Sequence, residues 1–563
     1  MEQLAFLAAV VIAILVISLL GIRNERRARA RFLEKMRKSY GQEPEQRRDP
    51  SEYAYIRSYF EYHKPENALD DITWNDLGMD AVFARLNYCR SAAGEEVLYS
   101  VLRTPAAADT DRFEEQVAFF DRETEARVTL QGALEESRQI SKYSAYDHLN
   151  ELDRGDVRSN TRHYLMLGLI VFCILGCVSG RVGLFFPPLL ALIILNVVTY
   201  YREKEKVNLY LSTFEYILRL LYGSEKIRKT LSDTSYGDLF SEDVSAIDRE
   251  LKAMQSFRRG SYLVMSRPSS TGDPVEIIFD YLRMVTHMDL IKFNSMFRHL
   301  IKHEDNVDRL IAATGRLDAR ISVACFRASL AGACCLPEEA EGTTLVLEDA
   351  YHPLVEGAVG NSITCDRNVL ITGSNASGKS TFLKTVAICA VLAQSIRTVP
   401  AKRYAAPLYR IYSSMALTDN LEAGESYYMV EIKSLKRILE AAKAQGLRVL
   451  CFIDEVLRGT NTLERIAASA QVLKQFANEN VQCFAATHDG ELTEILKNLY
   501  DNYHFDGELT DGDVRFDYRL REGSAKTRNA ISLLQQIGYD EAIVKNAEEM
   551  ASRFLETGVW TLM

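Results

Sequence analysis

Val369-Leu370-Ile371-Thr372-Gly373-Ser374-Asn375-Ala376-Ser377-Gly378-Lys379-Ser380-Thr381 sets an apolar run directly before a GxxxxGK[ST] loop. The run reads as a strand, and a helix is expected to begin near Lys379, which is the context this loop requires. Small residues from Gly373 through Ser374, Asn375, Ala376, Ser377 and Gly378 let successive backbone N–H groups curl around a phosphate chain. The helix N-terminus adds the positive end of its dipole. In this reading Lys379 reaches the terminal phosphates of ATP, the Ser380 hydroxyl ligates Mg²⁺, and Thr381 completes the nucleotide-binding loop. A lone match of this kind can be a glycine-rich turn without function, so the flanking sequence has to decide.

Downstream, Val449-Leu450-Cys451-Phe452-Ile453-Asp454-Glu455 is an apolar strand ending in two carboxylates. Asp454 at the strand end is placed to hold the Mg²⁺ shell, and Glu455 is the natural general base toward a water. A third strand, Cys483–Ala486, ends at Thr487-His488. Taken alone, His488 would be a packing or surface histidine. At a strand end in an α/β nucleotide unit it is expected to face the γ-phosphate. The catalytic candidates are therefore Lys379, Glu455 and His488, with Ser380 and Asp454 at the metal. In all, strands are expected at Thr344–Leu347, Val369–Thr372, Val449–Ile453 and Gln482–Ala486, alternating with helices past Pro337 as in a largely parallel sheet.

Before Pro337 the pattern is helical. Over 202–335 apolar residues recur at three- and four-residue spacing, as in Leu209, Leu211, Phe214, Ile217, Leu220 and Leu221. Two stretches are far more apolar. Leu4–Ile22 carries no charge and is followed at once by a basic run from Arg23 to Lys38, as in an uncleaved anchor whose C-terminal side is cytoplasmic. Tyr164–Tyr201 holds one charged residue, Arg181, inside the turn-rich Ser179-Gly180-Arg181-Val182-Gly183, with basic residues on both flanks. It is expected to be a transmembrane hairpin with its turn outside; the alternative is a hairpin buried in a soluble core. Three spans would leave 23–162 and 202–563 on the cytoplasmic face of a multi-pass inner or plasma membrane protein.

Composition is compatible with this plan. The 563 residues include 67 Lys+Arg and 77 Asp+Glu, a net charge of −10, with 47% hydrophobic and 26% charged residues. Whole-chain disorder and a small disulfide scaffold are excluded. The acidic balance also argues against a chain coated in nucleic-acid-binding charge, leaving only a local basic surface for that role. The ten cysteines include no CxxC pair and are expected to be reduced thiols in a cytosolic compartment.

The motifs resemble the MutS mismatch-recognition family. Asp419-Asn420-Leu421-Glu422-Ala423-Gly424-Glu425-Ser426-Tyr427-Tyr428-Met429-Val430-Glu431 is similar to the family's signature-like segment between the two nucleotide motifs. Asp454-Glu455-Val456-Leu457-Arg458-Gly459-Thr460-Asn461, Phe484-Ala485-Ala486-Thr487-His488 and His352-Pro353-Leu354-Val355 are similar to its Walker B loop, switch strand and lead-in. The likeness covers about residues 345–550, with weaker likeness at Gly315–Ser322 and 71–105. Ser374, Ala376 and Ser377 stand where the family has Pro, Met and Gly. Nothing resembles the family's mismatch-reading domain, and Phe32-Leu33-Glu34 in the charged stalk matches its Phe-x-Glu form by coincidence.

The resemblance implies an α/β P-loop NTPase domain of the ABC/MutS type over 337–563, preceded by an all-α core-like domain in two parts, 51–162 and 202–336. Around these lie an N-terminal transmembrane helix (1–22), a basic stalk (23–50) and the transmembrane hairpin (163–201). It further implies a homodimer with composite ATP sites, in which Ser426 faces the γ-phosphate held by the partner's Lys379 and Ile531–Phe554 packs across the dimer. The leading expectation is a membrane-anchored ATPase coupled to mismatched or branched DNA. The alternative is an ATP-driven membrane switch that recruits a protein partner and has no DNA role.

Overall fold

The computed structural model describes residues 20–21, 23–24, 26–44, 55–105, 110–138, 144, 146, 159–232, 238–265, 281–340, 342–374, 376–415, 427–458, 460–478, 480–510, 513–525 and 530–562. Of Leu4–Ile22, all but Leu20 and Gly21 lies outside these residues, as do Asn375 and the signature-like segment up to Ser426.

Residues 26–38 are helical. Met36 is buried, the Arg37 guanidinium reaches both Glu125 oxygens at 2.8 and 2.7 Å, and the Arg127 guanidinium lies 3.5 Å from the centre of the Tyr40 ring. The C-terminal part of the basic stalk is thus docked on the helical body. That body is built from α1 (Asp71–Asp76), α2 (Ala92–Arg103), α3 (Thr110–Arg122) and α4 (Thr124–Leu134), then α5 (Thr161–Val178), α6 (Val182–Leu231), α7 (Ser241–Ala253), α8 (Met288–Lys302) and α9 (Glu304–Ser329), with shorter helical pieces between. Two starts are fixed by side-chain caps, Asp70 accepting from the Thr73 N–H and Ser91 from the Gly94 N–H.

The α2–α9 crossing is the tightest point of the body. A Cβ on Gly315 would sit 2.4 Å from the Ala93 carbonyl oxygen, and one on Gly94 2.2 Å from Asp318 Oδ2. Asp318 is fully buried and accepts from the Arg90 N–H, the Ser91 N–H and the Ser91 hydroxyl at 2.9, 2.7 and 2.6 Å. Burial pushes its carboxyl up to about 6 despite these donors.

The second apolar stretch is a helical hairpin formed by α5 and the first part of α6. Its turn is Ser179–Arg181, so Val182 and Gly183 belong to the returning helix rather than to the turn. Both helices are long and apolar enough to cross a membrane by length and composition, and only 17% and 6% of their apolar windows are buried within the chain. Leu165, Phe172, Leu175, Leu184 and Val198 are exposed. The hairpin therefore does not form part of the soluble core that was its alternative reading. Nor does α6 end at Tyr201. Arg202-Glu203-Lys204-Glu205-Lys206 are good helix formers, so the helix runs on for 50 residues in all, about 75 Å at 1.5 Å per residue. Phe214, Ile217, Leu220 and Leu221 in its second half are buried in the main core. At the junction, the Tyr200 hydroxyl and Lys204 Nζ donate to buried Asp289 of α8 at 2.9 and 2.8 Å.

From Glu338 the chain turns to strands: β1 (Glu338–Glu339), β2 (Leu345–Ala350), β3 (Asn361–Cys365), β4 (Asn368–Gly373), β5 (Arg403–Ala406), β6 (Tyr409–Ser414), β7 (Arg448–Asp454), β8 (Val481–Ala486), β9 (Tyr500–Thr510) and β10 (Asp513–Glu522). A mixed sheet has the order β1-β5-β2-β3, and the larger sheet the order β10-β9-β4-β8-β7-β6. Within the larger sheet every pairing is parallel except β10 with β9. β4 and β8 are buried along nearly their whole length, as befits parallel strands covered on both faces. α10 (Lys379–Ile396) covers both and α12 (Thr462–Asn478) covers β8, while α11 (Tyr427–Lys443) packs on β6 and β7; α13 (Ala530–Ile537) and α14 (Glu541–Thr557) follow the sheet.

The two halves are joined by polar contacts. Asp76 Oδ2 at the end of α1 accepts from the Ser413 hydroxyl at 2.7 Å and the Met415 N–H at 2.9 Å, so α1 docks on the free edge of β6. Arg437 of α11 pairs with Asp70 at 2.5 Å. Arg327 of α9 donates to Thr398 Oγ1 and the Arg397 carbonyl just past the end of α10, while gripping Glu114 of α3.

Candidate nucleotide site

The strand order explains why distant residues meet. β4, β8 and β7 are adjacent and parallel, so their carboxyl ends fall on one edge of the sheet, where ligands bind in open α/β folds. Ile371 and Asp454 both stand in register with Ala486 of the intervening strand. The edge is fastened by the Thr487 N–H donating to the Ile371 carbonyl and the Glu455 N–H to the Ala486 carbonyl, each at 3.0 Å. The glycine-rich loop, the Asp454-Glu455 pair and the Thr487-His488 pair are thereby neighbours.

In the loop, Gly373 and Gly378 have φ of 145° and 107°, and Ala376 adopts 64°. A Cβ on Gly373 would lie 2.6 Å from the Phe505 carbonyl oxygen, and one on Gly378 3.2 Å from the Tyr518 ring. Both positions need glycine for conformation and for space. Helix α10 begins at Lys379, as expected from the sequence. Lys379 is buried and its ammonium donates to the Gly373 and Ser374 carbonyls, both at 2.8 Å. Burial pulls it below the ordinary lysine range against the opposing pull of Asp454 and Glu455. Ser380 and Thr381 are exposed in the first turn of α10.

Glu455 is held on both sides. Its Oε1 meets His488 Nε2 at 2.9 Å and its Oε2 meets Arg458 Nε at 2.6 Å, with the backbone at φ 57°. The hydrogen bond from His488 keeps the carboxyl below its ordinary range; burial opposes this, and Arg458 and Lys379 add to the lowering. His488 is in turn steadied by its neighbour, since Asp489 forms a two-pronged pair with Arg465 of α12 at 2.9 and 2.6 Å. Of the sequence candidates, Gly373, Ser374, Ala376, Ser377, Gly378, Lys379, Ser380, Thr381, Asp454, Glu455 and His488 lie at this sheet edge. Asn375 and Ser426 lie outside the described residues.

Three groups were not singled out from sequence. Glu431 of α11 is buried and its carboxylate accepts from the Leu457 N–H, tying the helix after the signature-like segment to the loop that carries Glu455 and Arg458. Arg458 stood inside the quoted motif, yet only geometry shows it on Glu455. Tyr518, half-exposed beside Gly378, adopts φ 55° at a register shift between β9 and β10. Asn361 braces it, donating to the Tyr518 carbonyl and accepting from the Leu520 N–H. Nothing local in sequence marks Tyr518, because it reaches the loop only through the β4–β9–β10 pairing.

The donor set fits a nucleotide with Mg²⁺. The buried Asp454 Oδ1 and the Ser374 and Ser377 hydroxyls have no hydrogen-bond partner in the protein, an unusual state for buried polar atoms. The loop glycines open backbone N–H groups to close approach. Among the described residues, no cluster of three or more His, Cys, Asp or Glu offers an all-protein metal site, so a cation here would take its remaining ligands from the nucleotide and water.

Residues 369–555 match the family model described as MutS domain V. The DNA mismatch repair protein MutS of Natronomonas pharaonis is 30% identical over 370 residues, 58% of this chain and 42% of that protein. That of Aquifex pyrophilus is 30% identical over 277 residues, 47% of this chain and 32% of its own length. DNA mismatch repair protein MutS 2 of Haloarcula marismortui is 34% identical over 197 residues, 34% of this chain and 20% of its own length. The matched stretches thus span less than half of each relative. The likeness to MutS proteins thus lies in the domain V match over residues 369–555 and in these partial alignments.

Proposed function

We propose that the chain is a membrane-anchored MutS-type ATPase that binds and hydrolyses Mg²⁺-ATP at a dimer interface. The convergence of Lys379, Asp454, Glu455 and His488 on one sheet edge carries this reading. Loop N–H groups and Lys379 bind the phosphates, and Ser380 with Asp454 would hold Mg²⁺, which when bound supplies charge neutralisation on the phosphate oxygens. Glu455, kept ionised by His488, orients and deprotonates the attacking water. For this it must yield one of its two partners. The half-exposed Tyr518 ring beside the loop offers a face on which the base can stack. The dimer reading draws support from the apolar residues left exposed around α13 and α14, among them Ile537, Ile543 and Trp560.

Membrane insertion of the hairpin is supported by the exposure of its apolar surface, which water would penalise by roughly 25 cal/mol per Å². DNA engagement rests on the names of the relatives. A second reading, ATP-driven movement of the hairpin without DNA, is favoured by α6, one unbroken helix from the apolar stretch into the main core. The full chain in lipid nanodiscs should release phosphate from ATP, and chelation with EDTA should stop it. Absence of hydrolysis under both conditions refutes the proposal. Binding to branched duplex that falls steeply with salt selects the DNA reading, and no such binding with hydrolysis intact selects the switch.

A further inference from the structure

Away from the sheet edge, α3, α7 and α9 line an open polar cleft of about 520 Å³. That size falls in the range of about 300–1,000 Å³ typical of small-molecule sites. Arg112, Arg249, Arg316 and Arg320 line it against Glu242 and Asp243, so four guanidinium groups face two carboxylates. The acids are engaged at the α3 side. Asp243 accepts from Arg112 at 3.1 Å and from the Gln116 amide at 2.9 Å, lies 3.6 Å from Arg320, and Arg112 also pairs with Glu242. Arg249 and Arg316 are exposed and make no hydrogen bond or ion pair among the described residues. Arg316 and Arg320, four residues apart, share one face of α9. The Ser241 and Ser245 hydroxyls in the first turns of α7 add neutral donors on the same wall.

We propose that this cleft is a binding site for a small phosphorylated anion, separate from the nucleotide site. Guanidinium forks match phosphoryl oxygens in pairs, and surplus positive charge in a concave site favours a compact polyanion. Its phosphoryl group would compete with Glu242 for Arg112, so Glu242 tunes the affinity.

The test uses the full chain in detergent micelles carrying Lys379→Ala, which disables the phosphate loop, with radiolabelled inorganic pyrophosphate in equilibrium dialysis. One saturable site is expected. Affinity should fall about tenfold or more in Arg249→Ala/Arg316→Ala and rise in Glu242→Gln, which removes a competing carboxylate. Arg249 and Arg316 are exposed, so the double variant should keep the circular dichroism spectrum of its parent. No saturable binding in the Lys379→Ala chain, unchanged affinity in the double variant, or complete displacement by duplex DNA at equal phosphate concentration would overturn the assignment.

Discussion

Glu455 carries opposing demands. As the proposed base it must be ionised to accept a proton, and the His488 contact secures this by holding its carboxyl below the ordinary range. A depressed carboxyl stabilises the fold above its unfolded value and loses that contribution as pH falls through the depressed one. Turnover should therefore stay level on acidification until below the ordinary carboxylate range. In His488→Ala the acid limb of the residual kcat should move upward, because the largest lowering influence is gone. A pH–rate profile of both proteins reads this out, and an unmoved limb would detach His488 from the base. Glu431 acts one step back. Buried, with burial raising its carboxyl, it holds the Leu457 N–H where Leu457 itself sits at φ 57°. Glu431→Ala should lower kcat, on the order of 10²-fold, with little change in KM, since a misplaced base loses orientation and not substrate affinity. Glu431→Gln, whose amide oxygen can still accept, should recover most of the loss. Equal loss in both variants would argue against positioning.

Among the elements, the α2–α9 crossing is the least forgiving. Gly315→Ala drives a Cβ against the Ala93 backbone, which cannot swing aside as a side chain would. It should lower stability by about 3 kcal/mol, measurable by urea unfolding of the solubilised chain; a loss below about 0.5 kcal/mol would mean the helices can part freely. Glycines of this kind are invisible in a single sequence, where Gly315 interrupts an otherwise apolar helical repeat. Strand legibility followed the same logic. β4, β7 and β8 showed because they are buried on both faces and read as unbroken apolar runs. β6, β9 and β10 did not, since edge and antiparallel strands such as Asp513–Glu522 alternate charge with aromatic residues and look like loop. The hairpin was legible as apolar stretches, but the length of α6 was not, because a charged segment reads as a boundary even when its residues favour helix.

At the scale of the molecule, the nucleotide domain leans on residues far before it. β6 takes Asp76 and Thr73 of α1, and Met415, which leads into the signature-like segment, hangs on the same Asp76. A fragment of residues 202–563 would lose these contacts together with α2, and should aggregate on size-exclusion chromatography where the full chain in detergent stays monodisperse. A well-folded fragment would show that the interface is dispensable. The cluster at the sheet edge was the most readable part of the whole because glycine-rich loops and strand-end carboxylates are local signals, whereas Arg458, Glu431 and Tyr518 meet the site only through tertiary pairing. Hydrolysis at this sheet edge is decided by measuring ATP affinity and phosphate release for the full chain and for Glu455→Gln in parallel. ATP should bind with unchanged Kd while turnover falls by on the order of 10²-fold or more, as expected for losing a general base; turnover undiminished in Glu455→Gln would contradict the account.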